Sequence, residues 1–208
     1  MQPNYQKEMD ALLLRLRQEN RRPRLMLHSC CGPCSSYVLE YLSAYFDITV
    51  FYYNPNIFPR AEYEKRRDEQ LRLLREMAFS APVSAIVGDY APGVFDEAAK
   101  GQESAPEGGA RCARCFMLRL EETAKVAKAH GYDYFGTTLS VSPHKNARVI
   151  NEIGSEISKQ YGVSYLASDF KKREGYKRSI QLSREYNLYR QDYCGCRYSA
   201  GDRFSREI

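Results

Sequence analysis

Apolar positions along this chain alternate between two rhythms. Five short, nearly continuous apolar runs read as buried strands: RLMLHS (24–29), DITVFYYN (47–54), PVSAIVGDY (82–90), YDYFGTTLS (132–140) and VSYLASDF (163–170). Between them, apolar residues recur at helical spacing. The periodicity predicts helices over 4–20, 34–45, Arg60–Met77, a short piece near Phe95–Lys100, 113–130, 142–162 and 176–187. In the helix after the first strand, Cys34 or Ser35 stands near the N-cap. The helix over 113–130 reads with Arg119, Thr123 and Ala127 on its outer face. The helix from 142 opens with Ser142 as N-cap and Pro143 at its first position. His130 before Gly131 suits a helix C-cap. GQESAPEGGARC (101–112) reads as a loop from its Gly, Pro and Ser.

Strands alternating with helices predict an α/β fold, a Rossmann-like parallel sheet of about five strands with helices on both faces. The whole chain, 1–208, reads as a single domain, opened by an amphipathic helix within 1–22. Folds of this kind take ligands beyond the carboxyl ends of their strands, at a topological switch point. HSCCGPCSS (28–36) follows the first strand and TTLSVSPHK (137–145) ends the fourth. If those two strands are neighbours, the two loops face each other.

Composition narrows the classes. No apolar run approaches the roughly 20 residues of a membrane span. The first 24 residues alternate charge with leucine, unlike a secretory signal, so a cytoplasmic location is expected. A net charge of +5 permits a nucleic-acid partner without requiring one, and 17 tyrosines add possible stacking surfaces.

The cysteines change the picture most. All seven fall in three groups: Cys30, Cys31 and Cys34; Cys112 and Cys115; Cys194 and Cys196. An odd number without a secretory signal argues against a disulfide framework, and core cysteines would be single and spread out. Polythiolate metal binding is the favoured reading, over redox disulfides and plain core thiols. The metal-binding loops are then 28–36, 108–116 and 189–199. Thiolates favour zinc or iron–sulfur. Zinc needs four ligands and a [4Fe–4S] cluster takes four, so three thiols are left for a second metal or for catalysis. The adjacent side chains of Cys30 and Cys31 are expected to diverge and so to serve two neighbouring metals. A zinc staple tying three loops together is the structural alternative.

Other polar residues are weaker candidates. NPNIFP (54–59) is a rigid loop that turns strand into helix and forms a pocket wall. EYEKRRDEQ (62–70) reads as a solvated helix face within reach of RNA. Asp89 and Tyr90 end the third strand and Asp169 the fifth, as acids or as helix caps. His28 and His144 are candidate proton donors. KKREGYKRS (171–179) is the densest basic run, a solvated loop or a phosphate contact.

Six stretches occur in order: CCGPCS, NPNIFPRAEYEKR, RCARC, TTLSVSPHK, DFKK and YRQDYCGCRYS. Together, from about Leu25 to Ser199, the chain resembles the cobalamin-independent epoxyqueuosine reductases of the QueH type. The resemblance implies a relative of the ATP-pyrophosphatase (HUP-like) fold, with the cysteine turn in place of a phosphate loop. It implies reduction of the epoxide of epoxyqueuosine at the tRNA wobble position to the alkene of queuosine. It implies a [4Fe–4S] cluster with a further iron beside it, held among Cys30, Cys31, Cys34, Cys112, Cys115, Cys194 and Cys196. Some members carry aspartate at the position of Cys34, which points to Cys34 as a ligand of the second iron. Partners so implied are epoxyqueuosine-bearing tRNA of the Tyr, His, Asn and Asp acceptors and an external electron donor. Candidate catalytic residues are Asp89, Tyr90, Asp169 and Tyr193. Candidate substrate or RNA contacts are Asn54, Asn56, Thr137, Thr138, Ser142, Lys145, Lys171, Lys172, Arg173, Arg178, Arg190 and Gln191. Two rivals remain. An ATP-using tRNA-modifying enzyme would want Ser-Gly-Gly-x-Asp-Ser where this chain has SCCGPCSS. A zinc-stabilised RNA-binding protein would need no chemistry at all.

Overall fold

The strands are β1 (Arg24–His28), β2 (Asp47–Tyr52), β3 (Ser84–Val87), β4 (Tyr134–Thr137) and β5 (Ser164–Tyr165). In the computed structural model, which describes residues 3–199, they form one parallel sheet in the order β3-β2-β1-β4-β5. The helices are α1 (Tyr5–Gln18), α2 (Gly32–Leu42), α3 (Arg60–Glu76), α4 (Pro92–Ala99), α5 (Ala110–Ala129), α6 (Ala147–Tyr161) and α7 (Gly175–Glu185). The α/β expectation stands. The two ends of the single-domain reading, residues 1–2 and 200–208, lie outside the described residues. No helix among the described residues is long and apolar enough to cross a membrane.

Strand alternation builds a core on each face. Leu25 and Leu27 of β1 join Ile48 and Val50 of β2 against Met9, Leu13 and Leu16 of α1 and Val38, Leu39 and Leu42 of α2. Met26 points the other way, with Phe135 of β4, into Phe116, Leu120, Ala124 and Ala127 of α5 and Ile150 and Ile157 of α6. Strand order runs outward from β1 to β3, then restarts on the other side with β4. The switch point is therefore β1/β4, whose register pairs His28 with Thr137. Thr138 N donates to His28 O at 3.0 Å beyond the last pair, so the two loops do face each other.

Several local expectations are corrected. α5 begins at Ala110, not 113, so Cys112 and Cys115 lie in helix rather than loop. Its residues Arg119, Thr123 and Ala127 are not an outer face; they are 2%, 0% and 0% exposed. The chain spends its large apolar side chains on that same stripe, one turn apart. α6 does not open at Ser142. Asn146 caps it, its Oδ1 accepting from Arg148 N (3.0 Å) and Val149 N (3.4 Å), and Gly162 closes it at φ 71°. Residues 142–146 are released as a loop. β3 and β5 are shorter than their apolar runs because each lies at a sheet edge with one neighbour. α3 is not uniformly solvated either: Arg66 and Gln70 are buried.

Candidate metal centre

The turn after β1 is shaped by an extended residue followed by a helix start. Cys31 occupies the N-cap of α2 with φ −173° and ψ 160°, and Pro33 fits the first turn. Cys34 is thus in the first turn, not at the cap. That geometry folds the three thiols together. The Cys30 and Cys31 sulfurs are 3.7 Å apart, and all three Sγ atoms lie within 4.8 Å of one another. The expected divergence of the adjacent pair is wrong: the extended cap residue swings Cys31 back towards its neighbour. Below the turn, Gln70 Oε1 lies 2.7 and 2.6 Å from the hydroxyls of Ser29 and Ser35, which also bond each other.

Each of the other two groups has its own support. Cys112 and Cys115, three apart, share one face of α5. Arg111 gathers the preceding loop by donating to the carbonyls of Gln102, Glu103 and Ala105. The 193–196 loop is clamped to α3 and its approach. Arg66, 1% exposed, pairs with Glu62 at 2.6 Å and donates to Tyr193 O and Cys194 O. Phe58 N donates to Gly195 O at 2.8 Å and Tyr193 Oη to Phe58 O at 2.6 Å. Gly195 has φ 115° and a Cβ there would press on Arg66, so only glycine fits.

All seven cysteines are free thiols. Among the described residues, N–H donors point at three of the sulfurs: Gln191 Nε2 to Cys31 (3.1 Å), Lys145 Nζ to Cys194 (3.2 Å) and Gly108 N to Cys112 (3.2 Å). Hydrogen bonds from Cys30 and Cys34 hold Cys31 well below the usual thiol range, against its burial. Cys34 is pushed up as it donates to Cys30 and Cys31, and burial pushes Cys115 up to about 11. A cation entering here displaces protons from sulfur. The donor set fits polythiolate metal binding. Sulfurs on one tetrahedral ion with ~2.3 Å bonds stand ~3.8 Å apart; Cys30 and Cys31 have that spacing at 3.7 Å, and Cys34 lies within 4.8 Å of both. No other group of three or more metal-ligating side chains closes so tightly among the described residues. Cys112 and Cys115 each feel the charges of Cys194 and Cys196, which brings the second and third groups into one electrostatic neighbourhood.

A cavity of about 310 Å³ opens beside these thiols. Cys30, Cys34 and Cys194 line it, as do the expected residues Ser142, Lys145, Arg190, Gln191 and Tyr193. Other expected residues stand elsewhere. Asn54 and Asn56 are 0% and 2% exposed, and Asn54 Nδ2 donates to Ser29 O at 2.8 Å, bracing the cysteine turn. Thr137 and Thr138 are buried at the switch point. The His28 ring is fully buried and is not among the residues that line the cavity. Burial holds its imidazole down to about 3, and Nε2 faces Tyr53 O, which can only accept. Nε2 therefore carries the hydrogen, and Nδ1 accepts from Thr137 Oγ1 at 2.9 Å. Asp89 is exposed beyond the edge strand, while Tyr90 stacks on Tyr63 and donates to Ile57 O. Asp169 pairs with Lys171 at 2.8 Å. Lys172 is exposed, and Arg173 and Arg178 pair with Asp10 and Glu40. The cavity also contains residues that the sequence reading missed: Glu107, Tyr176, Ser179, Asp192 and, among the thiols, Arg119. Arg119 follows Cys115 by four and Cys112 by seven, a helical spacing that could have revealed it.

The chain matches the family model described as Epoxyqueuosine reductase QueH over residues 25–202. It belongs to the QueH family. Among relatives named Epoxyqueuosine reductase QueH, that of Staphylococcus epidermidis is 45% identical over 201 residues, covering 95% of this chain and 84% of its own. That of Haemophilus influenzae is 39% identical over 181 residues, 86% of this chain and 72% of its own. That of Thermotoga maritima is 36% identical over 185 residues, 86% of this chain and 91% of its own. The QueH match spans all three cysteine groups and every element that positions them.

Proposed function

We propose that this chain is an epoxyqueuosine reductase acting on tRNA, with the thiol-lined cavity as its active site. Both carbon–oxygen bonds of the epoxide break and a carbon–carbon double bond forms. Two electrons and two protons are consumed and one water leaves. The observation that carries the reading is a set of free thiols at the β1/β4 switch point, with Cys30, Cys34 and Cys194 lining one cavity there. The preferred occupants are a [4Fe–4S] cluster on Cys112, Cys115, Cys194 and Cys196 and a further iron on Cys30, Cys31 and Cys34. When bound, such a centre supplies electrons singly and a Lewis acid for the epoxide oxygen.

The chain's own groups do the rest. Gln191, Lys145 and the Gly108 amide orient and neutralise sulfur. Lys145 brings protons at Nζ to the cavity wall, and the Tyr193 hydroxyl, turned to Phe58 O, serves the loop rather than the epoxide. Arg190 and Tyr176 at the lining suit a nucleotide's phosphate and base. Electrons come from an external carrier, the tRNAs are the Tyr, His, Asn and Asp acceptors, and the enzyme works in the cytoplasm. Thiols where a phosphate loop needs glycines speak against an ATP-using enzyme.

Iron and sulfide analysis of anaerobically purified, reconstituted protein tests the reading. Brown protein with about four sulfides and nearer five irons per chain is expected, together with conversion of epoxyqueuosine in tRNA under a chemical reductant. Colourless protein holding only stoichiometric zinc would make the site a zinc staple.

A further inference from the structure

We infer that Arg119 is a fixed positive charge built into α5 to raise the reduction potential of the thiolate centre. The inference rests on the metal-centre reading above and adds a positioning residue to it.

Arg119 is 2% exposed and sits on the helix face that carries Cys112 and Cys115. Its Nε donates to Cys115 O at 3.2 Å, which ties the guanidinium to the backbone of a ligand-bearing turn. Its Nη2 is buried without a hydrogen-bond partner. The side chain lines the cavity beside Cys30, Cys34 and Cys194. Its charge acts on Cys115 first, then on Cys30, Cys194 and Cys112, so it addresses all three cysteine groups from one position.

A buried guanidinium without a carboxylate partner is costly; Glu107 and Asp192 line the same cavity, but no ion pair to Arg119 is formed among the described residues. Arg66 is the instructive contrast: equally buried, it has Glu62 and two carbonyls to account for it. Arg119 has one carbonyl, the Phe116 ring at 5.8 Å and a field of sulfur. The compensation it lacks from carboxylates is what a polythiolate centre supplies. Reduction adds negative charge to that centre. A fixed cation in a low-dielectric wall stabilises the reduced form more than the oxidised one, so the potential rises. No proton moves in this argument, because a guanidinium stays charged throughout.

The test is an anaerobic redox titration of the reconstituted full chain, followed optically against mediator dyes, for wild type, R119K, R119M and R119Q. R119M is expected to shift the reduced-to-oxidised ratio at fixed potential by about tenfold or more towards oxidised, about 59 mV lower for one electron. R119K, which keeps the charge, is expected to stay near wild type. An unchanged potential in R119M with wild-type iron and sulfide overturns the inference. So does weakened tRNA binding with an unmoved potential, which would make Arg119 a contact for the substrate's anionic groups. If R119M loses its metal, R119Q is read in the same way. Loss of metal from both neutral variants, with R119K retaining metal and potential, supports the charge. Loss from all three makes Arg119 a packing residue and overturns it. A wild-type chain with no redox-active centre would instead sink the metal-centre reading itself.

Discussion

Cys34 stands in the first turn of α2, within 4.8 Å of Cys30 and Cys31. Its neighbours hold the proton on Cys34, but once a cation displaces that proton the helix N-terminus favours an anionic side chain, thiolate or carboxylate alike. If Cys34 ligates the single iron, an oxygen ligand substitutes and a methyl group does not. C34D is therefore expected to keep the cluster's absorption and much of the turnover. C34A is expected to keep the absorption but lose about one iron per chain. Its turnover should fall by more than the roughly 10–100-fold that losing an outer-shell partner costs. Iron analysis and epoxyqueuosine conversion, measured side by side, decide it. Loss of the absorption in C34A, with C112A and C194A unaffected, would reverse the partition of ligands. The cysteines were legible in the sequence because clustering is a property of the chain itself. The closeness of Cys30 and Cys31 was not, because it depends on one extended residue at a cap. Arg119 was missed because a charged residue at helical spacing reads as solvated until the burial of its own stripe, with Phe116 and Leu120, is known.

Helices and strands were legible wherever period and punctuation agreed, and their boundaries were not where a cap is made by a side chain further along. The competition between Ser142 and Asn146 for the cap of α6 is such a case. Asn146 wins by accepting from two amides, and the loop it frees carries Lys145 to Cys194. The same elements give a paired stability prediction. A Cβ on Gly154 of α6 would overlap the Tyr165 ring of β5, whereas one on Gly93 of α4 would meet nothing within 4 Å. G154A should lower stability by about 1–3 kcal/mol through overpacking. G93A should raise it by about 0.4–1 kcal/mol through a less flexible unfolded chain. Urea midpoints at constant m separate the two effects. A neutral G154A would mean that α6 slides on the sheet without cost.

At the scale of the whole molecule, alternating strands and helices sufficed to anticipate a parallel sheet, whereas the β1/β4 adjacency that makes the switch point was only a condition until the strand order was known. Long-range charge pairing was invisible, because it joins residues far apart in sequence. Arg173 pairs with Asp10, 163 positions away, at 2.6 Å. Arg178 holds Glu40 at 2.6 Å and Glu185 at 2.9 Å, Lys171 holds Asp169 and Lys177 holds Glu174. The densest basic run is thus largely neutralised within the fold. A cation released to phosphate must first break its own pair, so these residues contribute less to RNA binding than their number suggests. Arg190 is exposed, lines the cavity, and its Nη1 donates only to the Ser183 hydroxyl among the described contacts. Lys172 is also exposed. R190A and K172A are each expected to weaken tRNA binding and to reduce the slope of log affinity against log salt by roughly 0.7–0.9. R178A should leave that slope alone and cost about 0–1 kcal/mol of stability, as a partly exposed ion pair does. Filter binding of epoxyqueuosine-bearing tRNA across a salt series reads all three variants at once. If R178A flattens the slope as much as R190A, the tRNA backbone lies across α7 rather than at the mouth of the cavity. The pairs seen in the free chain would then be exchanged for phosphates on binding.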